Sequence, residues 1–304
     1  MPKAHRRAVE ALARLSKRNR GDPQMGDRAR SSVLARQALA VIAGPALRRL
    51  RREFQWVALR EQLSSEHSDP LAYTIASHAT PLIRPLAGLD PWLQQNKIVN
   101  LRLAAASLDG LVLEPGQRMS FWRQVGPPTR RRGFVDGLVL KHGSLCVGIG
   151  GGLCQMTNLL YWMSLHTPLT VIERWRHSYD VFPDQGRTQP FGSGATCAWP
   201  ALDLQIVNDT DATYVLSIRV TDTDLEGAWT SERPVGVDFR IEERAHRITH
   251  DGPGLYLRQN ELWRIASDRL SGGESEQLVA VNDARMMYAP FLPPATDCDA
   301  ASPH

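Results

Sequence analysis

The sequence predicts an α+β protein, with helices early and strands late. Three observations carry that expectation. Apolar residues recur at helical spacing in the first third of the 304 residues. A glycine-rich stretch, Gly148 to Gly152, runs into a nearly all-apolar segment long enough for a helix. From Leu169 onward, short strand-like runs alternate with turn residues.

In chain order, residues 1–30 read as a basic, poorly ordered leader, broken by "GDPQMGD". Residues 31–95 read as a helical N-terminal segment opening at Ser31, a good N-cap type, and interrupted near Gly44-Pro45. A core then spans 96–225. It opens on "NKIVNLRLAAASLDG", where Ile98, Leu101, Ala105 and Leu108 share a helical face and Gly110 offers a C-cap. "LVLEPGQRMSFW" alternates about a Pro-Gly turn, and "GLVLKHGSLCVGIG" reads as two strands about His142-Gly143. From Leu153 to Leu165 apolar residues occupy most sides, which predicts a central buried helix packed on antiparallel sheet. "LTVIERW", "HSYDVF", "ATCAW", "LDLQIVN" and "TYVLSIRV" follow as strands. Residues 226–290 form a β-rich extension containing "VDFRIEE", "LYLRQN", "ELWRIAS" and "EQLVAVN", and 291–304 a tail.

Composition narrows the function classes. Apolar and charged fractions of 42% and 22% suit a soluble globular protein. Residues 1–60 carry 15 basic against 4 acidic side chains, which leaves 21 against 28 for the rest. Such an arm suits a polyanion, an anionic membrane surface included. The acidic body carries no nucleic-acid recognition motif, so no specific nucleic-acid partner is expected. Cys146, Cys154, Cys197 and Cys298 are too few and irregular for a disulfide framework. The first thirty residues hold no apolar signal core, and "ALAVIAGPAL" is too short to span a bilayer. The expected location is cytoplasmic, with peripheral association at the inner membrane face through the arm.

The glycines pose the chemical question. "GIGGGLCQ" lacks the lysine of a phosphate loop, and Leu153 stands where a dinucleotide motif needs glycine, so no nucleotide cofactor is expected. A cysteine at a helix N-terminus meets unpaired N–H groups and the positive end of the helix dipole, which lowers a thiol pKa. Gly150, Gly151 and Gly152 would let a substrate approach the main chain and offer N–H groups to an oxyanion, with Gln155 as a further donor. The alternatives are that Cys154 is a small buried hydrophobe and that the glycines serve tight packing.

A nucleophilic cysteine needs a base. Most histidines lie in polar or terminal contexts, and His166 follows the helix as a cap. His177, 23 residues after Cys154, opens the predicted strand "HSYDVF" and is the candidate. Asp180, Asp184 and Asp203 are candidates to orient its ring. His142, Cys146, Cys154 and His177 lack common zinc spacings, so no metal is expected.

"GGGLCQMTNLLYWMSLHTPLTVIERWRHS" resembles the core motif of the VanW family. The likeness extends upstream through "NKIVNLRLAAASLDGLVLEPGQRMSFWRQVG" and downstream through "LDLQIVNDTDATYVLSI", over roughly residues 50–290. Gly150, Gly151, Gly152, Cys154, Gln155, Arg174 and His177 fall on motif positions. The resemblance implies a role in peptidoglycan-precursor or cell-envelope metabolism linked to glycopeptide resistance. It also resembles the transglutaminase-like order of cysteine helix, histidine strand and aspartate strand. Family members commonly read Asp-Ala-Thr where this chain has Gly194-Ala195-Thr196. A chain without that aspartate has a dyad, a substitute acid such as Asp203, or an inactive site.

Two functions are therefore expected in competition. One is cysteine-dependent acyl transfer or amide hydrolysis by Cys154 and His177 on a peptidoglycan precursor or similar anionic small molecule. The other is a non-catalytic module that binds an anionic precursor or a protein partner. Arg130, Arg131 and Arg132 in "GPPTRRRGF" suit carboxylate or phosphate, or form a solvated loop. Trp122, Trp162, Trp175 and Trp199 line a cleft or fill the core.

Overall fold

The computed structural model describes residues 44, 46–83, 90–141, 144–177, 179–180, 189–252 and 254–288. The basic leader, the tail, His142, Asp184 and Cys298 lie outside the described residues. The chain divides into two compact units, Met1–Arg60 and Glu61–His304. In the first, residues 46–58 form a helix, α1. Its exposed Arg49 and Glu53, four residues apart, pair at 2.8 Å.

The second unit is α+β and mostly antiparallel. One sheet has the order β1–β10–β9–β2, built from Tyr73–Pro81, Asp224–Ser231, Tyr214–Val220 and Val112–Leu113. A second has the order β11–β12–β13–β7: Val237–His250, Tyr256–Asp268, Glu274–Met286 and Tyr179–Asp180. Its last pair is parallel. A third joins β3 (Arg118–Ser120), β8 (Gln205–Val207) and β6 (Thr170–Glu173). β4 (Asp136–Lys141) and β5 (Ser144–Ile149) make the expected hairpin.

Several elements depart from the sequence pattern: "ATCAW" makes only the isolated bridges of Thr196 and Ala198, and β10 is not among the runs read as strands. β1 falls inside the stretch read as helical; a register shift between Thr74 and Ala76 breaks its alternation. "LYLRQN" and "ELWRIAS" form one continuous strand, because Asn260 and Glu261 pair straight across to Asn282 and Val281.

Helix α2 (Pro91–Ala105) begins with proline in its first turn, where the missing N–H costs nothing. A short helix, α3 (Phe121–Val125), follows β3. Ser120 caps it, accepting from Arg123 N at 3.2 Å. Helix α4 (Cys154–Leu165) packs on β1, β10 and β6. Met156, Leu159, Leu160, Tyr161 and Met163 are all buried, so most of its circumference meets protein. At its sheet face it approaches Gly227 so closely that a Cβ there would stand 2.7 Å from Met163 Cε.

The glycine loop between β5 and α4 is a packing device. Gly150 and Gly152 have positive φ, 75° and 91°, which side chains with a Cβ rarely adopt. Gly151 lies against β4: a Cβ on it would stand 2.1 Å from the carbonyl carbon of Gly137. Fully buried Asn100 of α2 binds the same loop, donating to Gly151 O at 2.9 Å and Val135 O at 3.1 Å. Its own oxygen accepts from Val135 N at 2.9 Å. We expect Gly151→Ala to cost about 3 kcal/mol of stability, the upper range for overpacking, because backbone must move. Gly236→Ala, where an added Cβ meets nothing within 4 Å, serves as the control in urea unfolding and should stay within ~0.5 kcal/mol.

Candidate functional site

Cys154 is the first residue of α4, at a terminus that no side chain caps. The N–H groups of the three glycines are already used. Gly150 N donates to Val135 O (2.9 Å), Gly151 N to Gly148 O (3.1 Å) and Gly152 N to Leu138 O (3.0 Å). Among the described residues, no hydrogen bond of normal geometry engages the N–H of Leu153 or Cys154. Donors for an anion at this terminus therefore sit at the cysteine and the residue before it. Gln155 turns away, its amide donating to Thr80 Oγ1 and Pro81 O, both at 2.9 Å.

Two polar side chains on the next positions of α4 fix the facing segment. Thr157 Oγ1 donates to Ala195 O at 2.6 Å, and Asn158 Oδ1 accepts from Ala195 N at 2.7 Å. Ala195 is thus held on both sides of its backbone. The neighbouring Thr196 N–H donates to Trp175 O at 2.8 Å, through an isolated antiparallel bridge. That bridge carries His177 alongside Thr196.

A chain of contacts results. Thr196 Oγ1 lies 3.3 Å from Cys154 Sγ and 3.0 Å from His177 Nε2. Thr196 Oγ1 thus stands between the sulfur and the imidazole. Cys154 Sγ stands 3.8 Å from Cys197 O. Hydrogen bonds from the Cys197 thiol, His177, Cys197 N–H and Thr196 hold the Cys154 thiol well below its ordinary value and outweigh burial, which pushes it up. Burial and the adjacent Cys154 push the Cys197 thiol well above that value. One sulfur of the pair is favoured as thiolate and the other as thiol.

The remaining sequence candidates take other positions. Of the predicted strand "HSYDVF", Tyr179 and Asp180 pair with β13 as β7, His177 lies before them, and Ser178, Val181 and Phe182 lie outside the described residues. Asp203 is fully buried and accepts from Ser120 Oγ (2.6 Å), Trp122 N (2.9 Å) and Leu204 N (3.0 Å). It therefore helps cap α3. Asp180 accepts from Tyr288 Oη at 2.8 Å and faces buried Arg258 at 3.4 Å, which ties β7 to its sheet. No carboxylate among the described residues hydrogen-bonds His177. Arg174 lies over the Tyr161 ring and donates to the carbonyls of Gly192 and Gly194, bracing the loop before Ala195.

Arg130 pairs with Asp136 and Arg132 donates to Val125 O, both at 2.5 Å, while Arg131 is exposed. Trp122 is core, edge-on to Trp199 at 5.7 Å. Trp175, 45% exposed, is the tryptophan next to the cysteine–histidine pair in the chain path. A cleft of about 530 Å³ lined by Trp162, His166, Asp238 and Arg269 opens at the other end of α4. It does not include Cys154.

Comparison with known proteins places these residues in a family. A family profile described as "VanW like protein" matches residues 96–230. The vancomycin B-type resistance protein VanW of Enterococcus faecalis (strain ATCC 700802 / V583) is 32% identical over 236 residues, 76% of this chain and 84% of that protein. The chain belongs to the VanW family. An uncharacterized protein, YoaR of Bacillus subtilis (strain 168), is 30% identical over 109 residues, 36% of this chain and 34% of its own length. No solved structure gives a significant match. The VanW-matched region runs from α2 through most of β10 and contains Cys154, His177, Thr196, Cys197 and Asp203. The long strands β11 to β13 lie beyond it.

Sequence reasoning missed Thr196, Cys197, Thr157 and Asn158. The available signal was two adjacent polar residues interrupting an otherwise apolar helix one turn after the cysteine. Thr196 gives the first test of this geometry. A thiol with a depressed pKa is thiolate above that value and loses reactivity as pH falls through it. We expect alkylation of wild-type Cys154, followed by peptide-resolved mass spectrometry, to titrate below about 8.5, the free-thiol value. Thr196→Val should move that midpoint upward; an unchanged midpoint would show that the hydroxyl does not act on the sulfur.

Proposed function

We propose that this VanW-family protein is a cysteine-dependent acyl transferase or amide hydrolase of peptidoglycan-precursor metabolism. The observation that carries the reading is the run of contacts from Cys154 through Thr196 to His177 at the N-terminal end of α4. The Cys154 thiolate attacks a substrate carbonyl carbon, and the N–H groups of Cys154 and Leu153 receive the oxyanion. His177, having taken the thiol proton, delivers it to the leaving amine as the C–N bond breaks. Water or an acceptor amine then attacks the thioester, with His177 as base, and releases Cys154 as thiol. Thr196 Oγ1, in contact with both the sulfur and Nε2, bridges nucleophile and base and orients the ring from that side.

The wider role follows the relative whose name ties it to vancomycin resistance. We carry over an association with glycopeptide resistance. The substrate is an anionic precursor on the cytoplasmic side, soluble or lipid-linked. Exposed Arg131 is available to its carboxylate or phosphate, and the positive charge of residues 1–60 suits the inner membrane face. No helix of the described residues is long and apolar enough to cross a membrane.

A second reading, a non-catalytic binding module, is favoured by the absence of a carboxylate on His177 among the described residues. p-Nitrophenyl acetate separates the two. The enzyme reading expects acetylation of Cys154 detected by mass spectrometry and its loss in Cys154→Ser. It also expects slowing by about 10²-fold in His177→Ala, the lower end for general acid–base catalysis. Acylation no faster than that of free cysteine would sink the enzyme. The binding module would then be supported if a Cys154→Ala chain still alters vancomycin susceptibility of cells as the wild type does.

A further inference from the structure

The reaction just described uses one sulfur, yet the site holds two. Cys197 follows Thr196 on the segment that α4 clamps through Ala195, and its carbonyl oxygen lies 3.8 Å from Cys154 Sγ. Both cysteines are free and half-buried. We infer that Cys154 and Cys197 form an oxidation site for hydroperoxides, in which peroxide attack at Cys154 is resolved by Cys197 to an intramolecular disulfide. The inference rests on the proposed function in its need for a Cys154 thiolate and for His177 as acceptor of the thiol proton.

The chemistry balances as follows. The Cys154 thiolate attacks the terminal oxygen of the hydroperoxide, and the O–O bond breaks. The departing alkoxide, or hydroxide from hydrogen peroxide, takes the proton that His177 received from Cys154. Cys154 is then a sulfenic acid, and the sulfur is oxidised by two electrons. The Cys197 sulfur attacks the sulfenyl sulfur and its proton leaves with the hydroxyl as water. Two thiols and one hydroperoxide thus give a disulfide, an alcohol or water, and one further water.

The surroundings favour that order of events. Cys154 sits at the helix terminus with the hydrogen-bond donors, whereas Cys197 is held as the protonated partner. Burial keeps Cys197 protonated, and the added effect of the neighbouring sulfur charge disappears once Cys154 becomes a neutral sulfenic acid, which eases attack by Cys197. Ala195 is fixed against α4 and Cys197 O lies 3.8 Å from Cys154 Sγ, so the two cysteines are neighbours before oxidation. Cys146 is not part of this pair; its thiol faces Val139 O at 3.6 Å.

The test treats the full-length reduced chain with hydrogen peroxide, blocks remaining thiols under denaturing conditions and maps the peptides. The expected result is a Cys154–Cys197 disulfide that dithiothreitol reverses, with Cys146 still alkylated. Cys197→Ser should instead accumulate Cys154 sulfenic acid, trapped by dimedone. Three outcomes would overturn the inference: oxidised Cys154 with Cys197 still free, Cys154 paired with Cys146 or Cys298, or no oxidation. Iodoacetamide labelling of the native chain in parallel separates the two readings. Rapid alkylation without disulfide removes only the oxidation site, whereas an inert Cys154 removes the proposed nucleophile as well.

Discussion

Ala195 is gripped on both sides of its backbone by side chains of α4, and the site geometry hangs on that grip. Thr157 takes its carbonyl and Asn158 its N–H, so a loop segment is registered against a buried helix as tightly as a strand against its neighbour. Both bonds lie in protected surroundings, where leaving either group unpaired would cost the desolvation of a backbone polar atom. Because the next two residues are Thr196 and Cys197, the same grip delivers a hydroxyl and a thiol to Cys154. The Trp175–Thr196 bridge then passes the registration on to His177. Local helix composition thereby brings together Cys154 and Thr196, 42 positions apart, and through Thr196 also His177.

This arrangement also accounts for the glycines on either side of the site. Gly151 allows β4 and the loop to touch backbone to backbone, and Asn100 seals the contact. The terminus of α4 is consequently rigid before any ligand arrives. Gly194 has a different task. A Cβ there would stand 2.7 Å from Asn158 Oδ1, the atom that holds Ala195 N–H. An aspartate at this position would require Asn158 to give way. The departure from the Asp-Ala-Thr pattern and the Asn158 clamp are therefore two sides of one packing solution. It leaves a hydroxyl, instead of a carboxylate, hydrogen-bonded to the imidazole among the described residues.

Much of this was legible in the sequence where one local rule decides the outcome. The α4 boundaries follow from an apolar run bounded by glycine and Pro168, and the β4–β5 hairpin from two short runs about His142-Gly143. Strands β6, β8, β9, β11 and β13 follow from alternation. His166 reads as a cap, and the structure places it at the C-terminus of α4 with its ring on Trp162 O at 2.9 Å. What escaped was non-local. The glycine N–H groups look free in a string of letters, yet each finds a carbonyl from a neighbouring turn or β4. Asp203 reads as a possible triad acid, but α3 sits against it and its lone pairs go to that helix start. Thr196 and Cys197 gave no signal, because their importance arises only when α4 folds against them.

Electrostatics at the site then follow from the donors that the fold supplies. Here Thr196 Oγ1 reaches both the sulfur and the imidazole, and hydrogen bonding around the sulfur lowers its pKa against burial without a buried acid. Such stabilisation is short-ranged and directional, so it survives partial burial that would penalise an exposed pair of charges less and a bare thiolate more. The two sulfurs and the clamp that joins their segments act as a single chemical unit, and changes at Thr157, Asn158 or Gly194 should be read through that unit before any direct role is assigned to them.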